Sequence, residues 1–123
     1  MLNVEESKLL DELRVDSPDF VVIVEGEKDV RALRALGVSR IAMLNRYSGV
    51  QELCDELTEK GVKRAVILMD FDRTGVDLAR KIRDALYADG ISADDKLRKR
   101  IHEAFKVRYI ERLHRIVESI RGE

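Results

Sequence analysis

The sequence is poor in cysteine, proline and aromatic residues, and it contains no tryptophan. Its single cysteine, Cys54, excludes a disulfide framework and an all-cysteine zinc site. The longest strongly apolar runs, at 20–24 and 65–69, are far shorter than the roughly 20 residues that a membrane-spanning helix needs. The first residues carry acids in place of a basic segment and a long apolar stretch, so a secretory signal is not indicated. These features predict a cytoplasmic protein with no membrane span.

The chain also lacks an excess of charge of either sign. Its 123 residues hold 23 basic and 24 acidic side chains, a formal charge of −1, which excludes a uniformly basic nucleic-acid-coating protein and a polyanionic disordered tail. The charges are nevertheless segregated: residues 1–95 hold 14 basic and 20 acidic groups, whereas residues 96–121 hold 9 and 3. With 45% hydrophobic residues, the chain is expected to form one domain over residues 1–123.

Hydrophobic periodicity predicts an α/β fold. An N-terminal helix is expected over residues 3–15, where Asn3 and Glu6 form a capping-box pattern. Between about 20 and 90, apolar strands at 20–24, 40–44 and 64–69 alternate with amphipathic helices, of which one is expected to start at a Ser48–Gln51 capping box and the next to be capped by Thr74 and Asp77. The expected architecture is three-layered and Rossmann-like, with a short parallel sheet of three strands between helices.

The last part of the sequence is expected to be helical. Over residues 93–121 the apolar side chains recur at steps of three and four, which predicts one long helix, or two with a break near 105–107. No fourth strand is legible there. Asp94 and Asp95 are expected to cap this helical segment.

Acidic residues follow two of the predicted strands. Glu25 ends the first strand, Asp70 ends the third, and Asp72 stands two positions further on. If these strands are neighbours, about 4.8 Å apart, the three carboxylates converge and repel one another, a conflict that a divalent cation resolves. Oxygen ligands without His or Cys favour Mg²⁺, for which Mn²⁺ can substitute, as one ion or two, and Mg²⁺ sites commonly include substrate phosphates.

Two glycines accompany these acids. Gly26 and Gly75 let the backbone turn sharply after each strand, and the helix N-termini that follow offer free N–H groups to an anion. An alternative is that each acid merely complements the dipole of the helix it begins. Two strand ends that both carry acid and glycine favour a metal site over that alternative.

The combined pattern resembles the Toprim domain. Its elements are Glu25-Gly26, Asp29 four residues after the glutamate, and Asp70-x-Asp72-x-x-Gly75. That domain occurs in bacterial DNA primases, type IA and type II topoisomerases, overcoming-lysogenization-type nucleases and the ribonucleases that mature 5S ribosomal RNA. The match covers residues 21–86, and the chain as a whole is most similar to the small stand-alone, primase-like Toprim proteins of archaea and bacteria.

The resemblance implies roles for individual residues. Glu25 is similar to the family's metal-binding glutamate, which can also exchange a proton with a phosphate ester oxygen. Asp70 and Asp72 resemble its paired Mg²⁺ ligands, Asp29 a supporting acid and, more weakly, Gly49 the glycine after the second strand. The implied activity is Mg²⁺-dependent, nuclease-like phosphoryl transfer on nucleic acid. The chain has no room for the large extra domains of primases and topoisomerases, so its tyrosines are interpreted as packing or surface residues.

The basic segment after residue 95 offers a second possible contact with nucleic acid. The side chains of Lys96, Arg98, Lys99 and Arg100 could follow a phosphate backbone, or they could be a solvated helix face that offsets the acidic body. His102 and His114 have no partner ligands that would indicate zinc.

Three functions stay open from the sequence. The first is a Mg²⁺-dependent enzyme acting on RNA or DNA, and the second is a non-catalytic, Mg²⁺-dependent module that binds nucleic acid or a protein. The third, less favoured, is an aspartate-nucleophile phosphatase in which Asp70 attacks phosphorus and Asp72 acts as the acid. It leaves Glu25-Gly26 unused, and no later strands are legible to carry its other groups.

Overall fold

The computed structural model describes all residues from Met1 to Glu123, folded around one parallel sheet. The strands are β1 (Phe20–Val24), β2 (Ile41–Met43), β3 (Arg64–Ile67) and β4 (Ser92–Asp94), in the order β2-β1-β3-β4. The helices are α1 (Val4–Leu13), α2 (Glu27–Ala35), α3 (Val50–Glu59), α4 (Arg73–Ala88), α5 (Lys96–Phe105) and α6 (Leu113–Arg121). Short 3₁₀ turns cover Leu44–Arg46 and Ile110–Arg112. None of the helices is both long and apolar enough to cross a membrane.

Successive side chains of the central strands point to opposite faces of the sheet, so the fold has three layers, with helices on both sides of the sheet. Val22 and Val24 of β1 pack into a core that also contains buried side chains of α1, α2, α5 and α6, whereas Val21 and Ile23 pack into a second core with α3 and α4. All five residues of β1 are therefore buried, as a strand covered on both faces requires. The predicted α/β class with helices on both faces of a parallel sheet is confirmed.

The predicted number of strands is wrong. Residues 92–94 form a fourth strand, paired in parallel with β3 from Ser92 against Arg64 to Asp94 against Val66. This edge strand is only three residues long, and its sequence, Ser-Ala-Asp, has low intrinsic strand preference. Its formation depends on backbone pairing with β3, which no local sequence pattern reveals. Because a strand does follow β3, the lack of later strands no longer counts against the phosphatase alternative.

The C-terminal helical segment has the predicted break. Helix α5 ends at Phe105, and Lys106 adopts a left-handed conformation with φ of 54°. Residues 106–112 then form a connection, here called the strap, which leads into α6. The backbone N–H of Phe71 donates to the carbonyl of Arg108 in the strap at 2.8 Å, so the strap is attached just beyond the end of β3.

The helix caps follow the predictions only in part. Asn3 and Glu6 form the expected capping box of α1. Helix α3 instead begins after Gly49, with Ser48 bonded to Glu52, and α4 is capped by Asp72 in place of Thr74 and Asp77. Asp95 precedes α5 without a side-chain capping bond, whereas the carboxylate of Asp94 accepts from the N–H of Lys96.

Candidate functional site

The carboxyl ends of β1 and β3 meet at one edge of the sheet. The two strands are hydrogen-bonded neighbours, with Ile23 opposite Ile67, and the N–H of Leu68 donates to the carbonyl of Ile23 at 2.8 Å. Glu25 therefore leaves β1 beside the chain that carries Asp70 out of β3. The adjacency on which the predicted site depended is present, and we call this region the acidic edge: Glu25, Asp29, Asp70, Asp72 and Glu111.

Asp29 is held at the acidic edge by the first turn of α2. Its Oδ2 accepts from the N–H of Gly26 at 3.1 Å, which fixes the side chain over the start of the helix. The pKa of Asp29 is raised to about 6, mainly by burial and also by the negative charges of Asp70, Glu111 and Glu25, against the lowering effect of the Gly26 hydrogen bond. Asp29 thus faces three other carboxylates.

Asp70 is fixed from the opposite side by the strap. The N–H of Ile110 donates to its Oδ1 at 2.8 Å. Burial raises the pKa of Asp70, and the charges of Asp72 and Glu111 raise it too, although the Ile110 hydrogen bond and Arg98 oppose the change. Glu111 directly follows Ile110 in the strap and so also lies at the acidic edge. Its role could not be predicted from the sequence pattern.

Asp72 and Gly75 shape the turn between β3 and α4. The Oδ1 of Asp72 accepts from the N–H of Gly75 at 2.8 Å and so caps α4. A side-chain carbon on Gly75 would stand 1.9 Å from the carbonyl oxygen of Asp70, so only glycine fits there. The close contact at Gly75 is therefore between two parts of the backbone. At Gly26 an added carbon would meet the side chain of Asn45 at 3.3 Å, and at Gly49 it would meet nothing within 4 Å.

Arg98 of α5 stabilises the same turn by hydrogen bonds to its backbone. It is the only buried charged side chain, 4% exposed, and its guanidinium donates to the carbonyls of Met69 at 2.9 Å and Asp70 at 2.6 Å. The guanidinium also lies 4.4 Å from the centre of the Phe71 ring, which stacks on His102 at the same distance. The prediction that Arg98 contacts nucleic acid is therefore wrong, because the side chain is enclosed by the protein.

The other basic residues of α5 are largely engaged within the chain. Lys99 pairs with Asp95 at 3.7 Å, and Arg100 pairs with Glu5 at 3.2 Å and Glu12 at 3.7 Å. Lys96 is exposed and makes no ion pair. Much of the positive charge of this helix is thus matched by acids of α1 and by Asp95.

The buried cysteine does not belong to a reactive site. Cys54 lies in the core between the sheet and α3, and burial raises the pKa of its thiol to about 11. The thiol is therefore protonated at neutral pH, which suits the packing role expected from the sequence.

The carboxylates of the acidic edge are the right chemical type of ligand for a hard divalent cation, but their arrangement suits such a cation less well. They are carboxylate oxygens whose mutual repulsion a cation would relieve. However, the folded chain brings no three His, Cys, Asp or Glu side chains into an arrangement that could hold a metal ion. Magnesium needs less than that, since it typically retains several waters and takes one or two carboxylates. The residues therefore fit a water-rich magnesium site and not a cage built of protein ligands.

Comparison with known proteins places the chain among archaeal relatives. No family model matches it. It is 35% identical to the UPF0292 protein of Methanocaldococcus jannaschii, over 80% of this chain and 74% of the relative. It is 32% identical to the UPF0292 protein of Archaeoglobus fulgidus, over 92% and 90% respectively. A solved structure of a protein from Aquifex aeolicus has the same fold, with a TM-score of 0.73 and 23% identity over 89% of this chain and 96% of that one.

Proposed function

The chain belongs to the UPF0292 family, and for this member we propose a Toprim-like, Mg²⁺-dependent function on nucleic-acid phosphodiesters in the cytoplasm. The observation that carries the proposal is the meeting of acids from four separate segments at one edge of a parallel sheet. In open α/β sheets, ligands bind in the crevice outside the carboxyl ends of the strands.

The proposed roles follow the positions of the side chains. Asp70 and Asp72 would hold the cation, since in each carboxylate only one oxygen is engaged by a backbone N–H, of Ile110 and Gly75 respectively. Glu25 would act on the cation through one of its retained waters, and it is the residue proposed to exchange a proton with a phosphate ester oxygen. Asp29 is a supporting acid. When bound, Mg²⁺ or Mn²⁺ would neutralise charge on a phosphodiester; the chain's own residues position it.

A magnesium titration followed by thermal unfolding tests the site. A ligand that binds only the folded chain stabilises it by about 1.4 kcal/mol at ten times its dissociation constant, which is about 5 °C in a domain of this size. We expect this response in the wild type and its loss in Asp70→Asn. The matched control is Asp94→Asn, which also removes one aspartate charge beside a backbone N–H but lies outside the acidic edge. Equal responses in Asp70→Asn and the wild type would refute the proposed site.

The second candidate is a module that binds without catalysis. It is favoured by the lack of any three-ligand group at the acidic edge, because a water-rich cation can hold a phosphate without assembling a reaction centre. Incubating the chain with labelled RNA and DNA and Mn²⁺ separates the two functions: cleavage lost in Glu25→Gln supports the enzyme, and Mg²⁺-dependent binding without cleavage supports the module. Aryl phosphate hydrolysis in the same assay would support the phosphatase alternative.

A further inference from the structure

A basic cavity lies beside the acidic edge, between α2 and the C-terminal part of the chain. Its volume is about 480 Å³. Helix α2 contributes Lys28 and Arg31, and the region around α6 contributes Arg112, Arg115 and His114. The lining has one alanine as its hydrophobic residue and no Phe, Tyr or Trp. A ligand of this cavity would therefore meet cationic groups, with no aromatic ring on which a base could stack.

Several of these cations have no partner within the protein. Lys28, Arg112 and Arg115 are exposed and form no ion pair, whereas Arg31 pairs with Glu27 at 3.5 Å across an exposed surface. This is the reverse of helix α5, where Lys99 and Arg100 are paired with acids. These three unpaired cations come from α2, from the end of the strap and from α6, which pack together. They provide positive potential at one place, where an anion can contact more than one of them.

Glu111 joins the cavity to the acidic edge. It lines the cavity, and its charge acts on both Asp29 and Asp70. Lys28 likewise directly precedes Asp29 on α2. A strand whose one phosphate is at the acidic edge can therefore place a neighbouring phosphate among these cations.

We propose that this cavity binds a backbone phosphate of a nucleic-acid strand whose adjacent phosphodiester lies at the acidic edge. This inference rests on the proposed function and names a substrate-binding site for it. The contacts are to phosphate and not to bases, so binding is independent of sequence and strongly dependent on salt. The basic surface used is that of α2 and α6, and not that of α5.

Two charge-matched double variants test the cavity both in EDTA and with Mg²⁺ present, because a phosphate at the acidic edge needs the cation whereas a phosphate in the cavity does not. The probe is a fluorescein-labelled single-stranded 20-mer of mixed sequence, as RNA and as DNA. One variant is Arg112→Gln with Arg115→Gln, and the other is Lys96→Gln with Lys99→Gln. Because each phosphate contact to a single strand contributes a salt slope of about −0.7, loss of two contacts should weaken binding about 25-fold at 0.1 M salt and reduce the slope by about 1.4.

We expect that loss in the cavity variant and less than a twofold change in the α5 variant. Arg112→Lys with Arg115→Lys should restore the slope, because a point charge suffices for a phosphate. An equal loss in both variants, a loss confined to the α5 variant, or no binding by the wild type would overturn the proposal. The side chains are exposed, so unchanged melting temperatures are expected; if the double variant does not fold, Lys28→Gln alone should reduce the slope by about 0.7.

This outcome is separable from that of the magnesium experiment. If the wild type responds to magnesium as expected but the cavity variant has an unchanged salt slope, the proposed phosphate site in the cavity is refuted and the proposed metal site is not. Slopes that fall as expected, with no magnesium response, would establish a phosphate-binding cavity and refute the metal-dependent function.

Discussion

Replacing Asp29 by asparagine should stabilise the protein at neutral pH. The pKa of this carboxyl rises from its ordinary 3.8 to about 6 because the group is half-buried and faces Asp70, Glu111 and Glu25. For a fully desolvated group that rise corresponds to about 3 kcal/mol. Since the side chain is partly exposed to water, which screens the charge, we take about half of this value, about 1.5 kcal/mol.

The sign of the pH dependence follows from proton binding. The folded chain holds the proton of Asp29 more tightly than the unfolded chain, so the free energy of unfolding falls as pH rises from below 3.8 to above 6. Asparagine does not titrate, and its side-chain oxygen can still accept from Gly26. The stability difference between Asp29→Asn and wild type should therefore be small near pH 4 and grow to about 1.5 kcal/mol, or about 5 °C, at pH 7.5.

Urea unfolding followed by circular dichroism, at half-unit steps from pH 4 to 8, measures this difference. Acids outside the acidic edge titrate alike in both proteins, so their effects cancel in the subtraction. Asp94→Asn is the control, because Asp94 also accepts a backbone N–H but is exposed and outside the acidic edge. A difference for Asp29→Asn that stays constant across this range would refute the proposed crowding of charge. At pH 7.5, 10 mM Mg²⁺ should narrow the difference if the cation binds.

Further substitutions probe the turn that carries Asp70. Gly75→Ser should cost about 3 kcal/mol in urea unfolding, because its side chain would collide with the Asp70 carbonyl, whereas the same change at Gly49, an open and extended helix N-cap, should be neutral or slightly stabilising. Arg98→Met should also cost about 3 kcal/mol, since one buried and one half-buried carbonyl lose their donor, and Arg98→Lys should cost less. A neutral Arg98→Met would contradict that role. Asn3→Ala should cost about 1 kcal/mol by loss of the α1 capping box, which thermal unfolding would register.

The features that could be predicted from sequence are those with a local physical cause. The run Phe20–Val24 is apolar throughout, which is typical of a central parallel strand, and it lies where predicted. The Asn3 cap and the chain break near Lys106 are likewise local. Strand β4 escaped notice because three residues at a sheet edge leave almost no periodicity, and its conformation depends on pairing with β3.

The missed parts of the candidate site depend on contacts between distant segments. Glu111 lies in the chain far beyond Asp70, and only the strap brings the two together, through the bond from Ile110 to Asp70. The sequence shows that Arg98 is charged but not that it is buried, because its position under the β3–α4 turn is a tertiary contact. A charged residue next to Lys99 and Arg100 resembles a surface residue until the packing of α5 is known.

Opposite charges lie side by side around the strap. Hydrogen bonds attach the strap to Phe71 and Asp70, and its Arg112 forms no ion pair with the acidic edge. On α5, by contrast, Arg100 can reach Glu5 and Glu12 of α1, and that charge is already compensated. The fold thereby keeps one set of carboxylates and one set of cations uncompensated and adjacent. A ligand that neutralises both groups must bring a cation to the carboxylates of the acidic edge and an anion to the cations of the cavity. The magnesium-bound phosphodiester strand of our proposal has both charges.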